Sequence, residues 1–284
     1  MMPADQTRAM PILNKDMTLC ISLAARPSNI GTRFHNFLYD ELGLNFIYKA
    51  FAPVTLEGAI AGVRGLGIRG CAVSMPHKEA VIELVDSLDP SALAIDSVNT
   101  IVNNNGHLHA YNTDYTAVRR LLEQHAVPAE LSVIVQGSGG MAKAVAAALR
   151  DAGFASGTIV ARNETTGRAL AELCGYAWAP RVGELTADLI VNVTPQGMTP
   201  DDAQLSFEPA TIAAARVVFD VVASPSETRL IRAARAAGKP VITGGEVVAL
   251  QAEEQFVLYT GIRPTPDQIA RASAFSRAPL VDQP

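Results

Sequence analysis

The sequence predicts an α/β fold in two domains, and three observations support this prediction. Short runs of β-branched residues alternate with amphipathic stretches almost from end to end, a pattern typical of parallel sheets with crossover helices. The chain has 284 residues, of which 49% are hydrophobic, enough to build two compact cores. A glycine turn, GSGG, follows an apolar strand near the middle of the chain and starts a second series of strands.

The first series precedes this turn. Apolar runs such as CISL predict strands, which we place near 19–23, 46–51, 68–74 and 97–102. Apolar residues at three- and four-residue spacing predict the intervening helices, near 34–43, 56–65 and 77–88. The NNNGH segment then predicts a turn.

The second series begins with a strand at 131–136, the glycine turn and a helix that ends at Gly153. Further strands are predicted near 158–161, 189–193, 217–221 and 240–243. The segment GGEVVALQAEEQFVLYTG is helical after its glycines, and its spacing places four residues on one face: Val248, Gln251, Gln255 and Leu258.

Composition excludes several classes of function. The net charge of −5, with no Lys/Arg block, argues against a nucleic-acid partner. No apolar run reaches the roughly 18 residues needed to span a membrane, and the first residues lack the pattern of a secretory signal. Cys20, Cys71 and Cys174 form no CxxC motif, so we expect reduced thiols and a cytoplasmic protein.

His107 and His109 lie two residues apart on a predicted strand face and form at most half of a metal site. Because no third ligand accompanies them, we expect no metal.

The glycine turn predicts a dinucleotide site, because it follows a buried strand and opens a helix whose N-terminal N–H groups attract a pyrophosphate. The candidate cofactor-binding residues of this turn are Gly137, Ser138, Gly139, Gly140, Met141 and Ala142. The alternative is a tight strand-to-helix turn without a ligand.

The end of the next strand indicates which dinucleotide is bound. Enzymes that use NAD usually carry an acidic residue there, but this chain reads Ala161-Arg162-Asn163. A guanidinium suits the 2′-phosphate of NADP, so we favour NADP(H), although Glu164 offers a ribose contact and Arg162 is alternatively a solvated side chain. The NVTPQGM segment adds Asn192, Thr194 and Gly197 at a third strand end.

Hydride transfer to or from a secondary alcohol carbon requires an acid or base for the hydroxyl proton. Lys78, near the start of a predicted helix, and Asp114, at another helix start, are the candidates. Taken alone, each has an ordinary explanation, since most lysines are solvated and Thr113 or Asp114 is a plausible helix N-cap. His77 is a weaker candidate for the acid/base.

The motifs SMPHK, SVNT, NTD, GSGG, NVTPQGM, FDVV and LQAEEQF occur in the order and approximate spacing of the shikimate and quinate dehydrogenase family. The resemblance covers most of residues 20–261. It implies an α/β substrate domain built from 1–112 and 246–284, and a Rossmann-type doubly wound nucleotide-binding domain at 113–245. It also implies that Lys78 and Asp114 form the catalytic pair, and that Ser74, Asn99 and Gln251 bind the substrate.

The substrate-binding motif departs from the family pattern, His-Ser-x-Ser-Pro-x-x-His-Asn, whose serines hold the substrate carboxylate. Aligned on His35-Asn36, this chain has Asn29 and Gly31 in place of the serines. A tyrosine that usually follows the FDVV region is also replaced, with Ala223 near its position. The chain thus resembles the divergent shikimate dehydrogenase-like branch, with Asn29 and Gly31 at the substrate site and Arg26 or Arg33 as candidate charge compensation.

We therefore expect an NADP-dependent oxidoreductase of shikimate or a related cyclic polyol acid, with shikimate itself a poor substrate. The alternative is a catalytically idle NADPH-binding sensor with the same fold. The sequence leaves open the true substrate and whether the chain is a monomer or a homodimer.

Overall fold

The computed structural model describes residues 13–200 and 202–278, which form two six-stranded sheets with helices packed against them. This architecture confirms the predicted α/β class. Among the described residues, none of the helices has the length and apolar character needed to cross a lipid bilayer.

The first sheet has the strand order β2-β1-β3-β5-β6-β4. Its strands are β1 (Thr18–Leu23), β2 (Phe46–Phe51), β3 (Gly70–Val73), β4 (Ser87–Leu88), β5 (Thr100–Asn104) and β6 (His107–Tyr111). Its helices are α1 (Asn29–Glu41), α2 (Leu56–Gly65) and α3 (Pro90–Leu93), with a 3₁₀ helix at Ala80–Leu84. The sheet is mixed, because β5 runs antiparallel to both β3 and β6.

The second sheet is parallel throughout, with the order β12-β11-β10-β7-β8-β9. Its strands are β7 (Val133–Gln136), β8 (Gly157–Val160), β9 (Ala177–Ala179), β10 (Leu189–Asn192), β11 (Val217–Asp220) and β12 (Val241–Thr243). The remaining helices are α4 (Thr113–Gln124), α5 (Gly140–Asp151), α6 (Glu164–Cys174), α7 (Pro209–Ala214), α8 (Arg229–Ala236), α9 (Gly244–Thr260) and α10 (Pro266–Arg277). The order reverses between β7 and β10, so this is the doubly wound topology in which ligands bind beyond the carboxyl ends of the strands.

Helix α9 contributes to both cores. Its Val247 and Leu250 lie in the core of the second sheet, whereas Phe256 and Tyr259 pack in the core against α1 and the first sheet. A capping box, in which Thr243 and Glu246 exchange side-chain to backbone hydrogen bonds, fixes where the helix begins.

Helix α4 packs against α9, and a charged cluster joins them. Arg120 on α4 donates to Glu253 at 3.2 Å and also contacts Glu254, both on α9. Arg263 binds the same two carboxylates. The contact fixes the start of α4, which carries Asp114, relative to the helix that carries Gln251.

The predicted division into 1–112 plus 246–284 and 113–245 stays a prediction, and its residues 1–12 and 279–284 lie outside the described part of the chain. Each described sheet is formed within one of these segments. All three cysteines are buried and unpaired.

Several predicted elements differ from the structure. The helix expected at 77–88 is wrong: the segment is a turn, a 3₁₀ helix and the short strand β4. The helix expected from 34 begins earlier, at Asn29. The turn that carries Lys78 is held by a hydrogen bond from Val98 N, a contact with another segment that periodicity does not reveal.

Candidate active site

Lys78 and Asp114 meet beyond the carboxyl ends of β3 and β6, two strands of the first sheet. The Lys78 Nζ lies 2.8 Å from Asp114 Oδ2, and their side chains are 28% and 14% exposed. Lys78 belongs to the turn after β3, where its carbonyl accepts a hydrogen bond from Val98 N at 2.8 Å. Two residues distant in sequence are thus held as a partly buried ion pair.

The local settings of the two residues correct the sequence analysis. Lys78 does not lie at the start of an α-helix, because it precedes a 3₁₀ helix within a turn. Asp114 lies in the first turn of α4, but the N-cap is Asn112 rather than Thr113 or Asp114. The Asn112 side chain accepts from the backbone N–H groups of Asp114 and Tyr115, so the Asp114 carboxylate remains available to Lys78.

Asn99 is buried next to this pair, and its side-chain oxygen is fully used. The Oδ1 atom accepts from Thr113 N at 2.8 Å and from Thr100 Oγ1 at 2.9 Å. Its Nδ2 atom has no hydrogen-bond partner among the described residues. An unpartnered buried amide donor is suited to a substrate oxygen.

A cavity of about 300 Å³ opens beside Lys78. It is lined by the loop after β1, the start of α1, the end of β3 and one face of α9, together with the end of α10. Of the predicted substrate-binding residues, Gly31, Ser74 and Gln251 line it. Asn29 is exposed at the start of α1 and is not among the lining residues, nor is Asn99.

Sequence reasoning missed Gln255 as a site residue, although it placed it on the correct helical face. Val248, Gln251 and Gln255 all line the cavity. The Gln255 Nε2 donates to Thr100 Oγ1 at 2.9 Å, linking α9 to the strand that follows Asn99. The spacing of four residues from Gln251 was the available signal.

His35 and Tyr48 form an aromatic wall of the cavity. His35 belongs to the family motif, but no sequence pattern indicated its contact with Tyr48. Their rings stack with centroids 4.4 Å apart and planes 9° apart. Burial lowers the pKa of His35 from 6.5 to about 3, with a hydrogen bond to Gln255 acting in the opposite direction, so the imidazole is neutral at physiological pH. A Cβ atom added at Gly31 would lie 3.7 Å from Tyr48 Oη, an ordinary contact distance.

Arg26 and Arg33, the two candidates for charge compensation, have different surroundings. Arg33 donates to the Ala278 carbonyl oxygen, and its guanidinium lies 4.5 Å above the Phe275 ring. Arg26 lines the cavity instead. Of these two arginines, only Arg26 therefore reaches the cavity.

The glycine turn at the end of β7 leaves its backbone accessible at Gly139 and Gly140. Gly137 has φ +132°, and a Cβ there would lie 2.8 Å from Val193 Cγ2, so a side chain is excluded. No atom lies within 4 Å of a Cβ built at Gly139 or Gly140. Helix α5 begins without a side-chain cap, which leaves its first N–H groups open, while Ala142 is buried behind Met141.

The end of β8 leaves Arg162 exposed, with no ion pair to the described residues. Asn163 caps α6 by accepting from Thr166 N at 3.1 Å, and Ser138 Oγ lies 2.7 Å from Thr166 Oγ1. Glu164, the residue that a ribose contact would use, is bound by Arg168 at 2.7 Å. Ala161 is buried beneath this surface. The exposed cation suits a 2′-phosphate better than a ribose hydroxyl.

Hydrogen bonds within the protein hold the loop after β10 in place. Asn192 is completely buried and donates to Asp220 Oδ1 at 3.0 Å, while its own Oδ1 accepts from Thr194 Oγ1 at 2.7 Å. Burial raises the pKa of Asp220 despite its hydrogen bonds. Gly197 has φ +85°, which favours glycine. Asn192 therefore shapes this loop through its side chain rather than pointing it at a ligand.

His107 and His109 both contact the Ser87 hydroxyl, at 2.8 Å and 2.6 Å. In residues 13–200 and 202–278, no group of three or more His, Cys, Asp or Glu side chains is arranged to hold a metal ion.

Comparisons with known proteins place this geometry in a family. Residues 29–101 match the family model described as the shikimate dehydrogenase substrate binding domain. A shikimate dehydrogenase-like protein of Haemophilus influenzae is 56% identical over 94% of this chain and 99% of its own length.

Solved structures agree with this assignment. The shikimate 5-dehydrogenase of Thermus thermophilus, in complex with NADP(H) and shikimate, is 31% identical, with a TM-score of 0.81 over 92% of this chain and all of the other. The ligand-free 5-ketofructose reductase of a Gluconobacter strain is 25% identical, with a TM-score of 0.84 over 92% of this chain and 99% of the other. Because the Haemophilus protein is 56% identical over 94% of this chain, this chain belongs to the shikimate dehydrogenase family.

Proposed function

We propose that this protein is an NADP-dependent oxidoreductase that interconverts a secondary alcohol and a ketone on shikimate or a related cyclic polyol acid, with shikimate itself a poor substrate. The observation that supports this most strongly is the Lys78–Asp114 ion pair at 2.8 Å beside the cavity. An ion pair kept partly buried at a cavity wall provides a positioned proton donor and acceptor.

Lys78 exchanges the proton of the reacting hydroxyl. Asp114 holds the Lys78 ammonium in place and accepts a hydrogen bond from a neighbouring substrate hydroxyl. The amide of Gln251, at the cavity wall, binds a further hydroxyl, because an amide nitrogen donates and an amide oxygen accepts. Asn99 does not line the cavity, and it binds a hydroxyl that reaches its buried Nδ2 atom, which has no partner among the described residues.

NADP is supported by the open α5 N-terminus, the side-chain-free turn at Gly137 and the exposed Arg162, which forms no ion pair with the described residues. The Thermus relative with NADP(H) bound adds to this support. When bound, the nicotinamide supplies or accepts the hydride. The chain's own residues hold the pyrophosphate at the α5 N-terminus and the 2′-phosphate at Arg162.

A second candidate is reduction of an uncharged polyol ketone. It is favoured by Asn29 and Gly31, which lack the serine hydroxyls of the family pattern, and by the likeness to a 5-ketofructose reductase. An idle NADPH-binding protein is less well supported, since such a protein has no need to keep both Lys78 and Asp114.

The experiment is NADP⁺ reduction and NADPH oxidation, followed by absorbance, over shikimate, quinate, aminoshikimate and neutral polyols with their ketones. Turnover that requires Lys78 supports an oxidoreductase. NADPH binding without turnover of any compound, unaffected by Lys78→Ala, would instead indicate the idle protein. The control is Lys15→Ala, because the Lys15 side chain is 88% exposed and its one ion pair among the described residues is with Asp16.

A further inference from the structure

The charges that line the cavity are all positive. The basic side chains of Arg26, Lys78 and Arg277 contribute to its wall, whereas none of its described lining residues is Asp or Glu. Asp114, which is not among the lining residues, pairs with the Lys78 ammonium. The cavity is therefore an environment that favours a negatively charged group.

Arg26 and Arg277 have no hydrogen bond or ion pair to the described part of the chain. This distinguishes them from Arg33, which the end of α10 holds through the Ala278 carbonyl oxygen and the Phe275 ring. Arg26 comes from the loop after β1, and Arg277 is the last residue of α10. The packing of α10 on α1 is what brings these two guanidiniums to one cavity.

A guanidinium binds a carboxylate through two parallel N–H donors, whereas a serine hydroxyl offers one donor. Both arginines are exposed, so solvent and salt weaken their attraction for an anion. A site of this kind selects charged ligands over neutral ones without binding them tightly.

We propose that Arg26 and Arg277 together recognise the carboxylate of an acidic polyol substrate, in place of the two serines of the family pattern. This inference rests on the proposed function, because it assumes that the cavity beside Lys78 receives the substrate. The inference restricts the substrate to acids and gives Arg277, the last residue of α10, a role in substrate specificity.

The test measures binding rather than turnover, so that it is independent of catalysis. With NADP⁺ present, ligand-observed NMR titrations compare shikimate with its uncharged methyl ester, on the wild type, Arg26→Gln, Arg277→Gln and the double variant. We expect the wild type to bind the acid about tenfold more tightly than the ester. The double variant should lose this preference, Arg277→Lys should keep part of it, and 0.5 M NaCl should reduce it.

Arg216→Gln is the charge-matched control, because Arg216 is exposed at the amino end of β11, away from the cavity. Arg216→Gln should keep the preference for the acid over the ester. Binding of NADP⁺ by every variant would show that each variant is folded. A preference that survives in the double variant, or equal binding of acid and ester by the wild type, overturns the inference. A preference for the acid without NADP⁺ reduction of any acid would refute the proposed function and leave this inference standing.

Discussion

Two candidate sites differ in how closely they follow the family pattern: the nucleotide side, at the glycine turn after β7, and the substrate side, at the cavity beside Lys78. On the nucleotide side, the turn at Gly137 keeps its positive φ, and the start of α5 keeps its open N–H groups. On the substrate side, Asn29 and Gly31 replace the serines, and arginines line the cavity instead. Backbone geometry constrains the nucleotide side, whereas side-chain chemistry determines the substrate side. The substrate side can therefore diverge while the nucleotide side is retained.

The largest expected effect is the loss of turnover when Lys78, the proposed proton donor and acceptor, is replaced. Lys78→Ala should lower turnover by about 10²- to 10⁴-fold, the usual contribution of a general acid or base, and leave NADPH binding nearly unchanged. Single-turnover kinetics and fluorescence titration of NADPH measure the two quantities. Loss of NADPH binding to the same extent as turnover would show that Lys78 belongs to the nucleotide side.

Arg162→Ala should weaken NADP(H) binding by about 1 to 3 kcal/mol, because it removes a charge-assisted contact to the 2′-phosphate. NAD(H) binding should change little. Calorimetric titration of both cofactors measures the difference, with Arg181→Ala, another exposed arginine of the nucleotide-binding region, as the control. Equal losses for both cofactors would refute a role in reading the 2′-phosphate.

Restoring serine at both positions, Asn29→Ser with Gly31→Ser, should improve the use of shikimate by about tenfold, chiefly through KM. The structure accommodates the change, since a Cβ at Gly31 meets only the Tyr48 ring at 3.7 to 3.8 Å. The KM for NADP⁺ should stay constant. An unchanged KM for shikimate would show that the replacement of the serines is not what weakens its binding.

The last effect is on stability rather than on activity, and it appears only below neutral pH. Because burial lowers the pKa of His35 to about 3, the unfolded chain binds a proton between pH 6.5 and about 3 that the folded chain does not. Stability should therefore fall as the pH falls through this window, by at most about 1.4 kcal/mol per pH unit from this group. His35→Phe, which keeps a ring against Tyr48, should flatten this slope in urea unfolding at stepped pH.

The control for that measurement is His109→Phe, since His109 lies outside the cavity and contacts the Ser87 hydroxyl. It should leave the slope unchanged. A His35→Phe slope equal to that of the wild type would contradict a buried neutral imidazole at this position.

The nucleotide side was predictable because its requirements are local. A strand, a glycine turn and a helix lie within one stretch of sequence, and Gly137 needs a conformation that glycine adopts readily. Five of the six strands of the second sheet were located for the same reason, since a buried parallel strand reads as a continuous apolar run, whereas the short edge strand β9 was missed.

The substrate side was predictable only through family resemblance, because its parts come from distant segments. Nothing near Arg277 in the sequence indicates that it shares a cavity with Arg26, and His35 and Tyr48 meet only after β2 pairs with β1. The helix predicted at 77–88 was wrong for a similar reason. The turn that carries Lys78 is held by a hydrogen bond from Val98, which lies on another segment.

Steady-state oxidation of shikimate by the wild-type protein tests the retained nucleotide side and the altered substrate side together. We predict that NADP⁺ half-saturates the enzyme within the usual range of about 1 μM to 1 mM, whereas the rate still rises with shikimate beyond about 1 mM. Half-saturation by micromolar shikimate, with turnover of about 10 s⁻¹ or more, would contradict the claim that the changed carboxylate site makes shikimate a poor substrate.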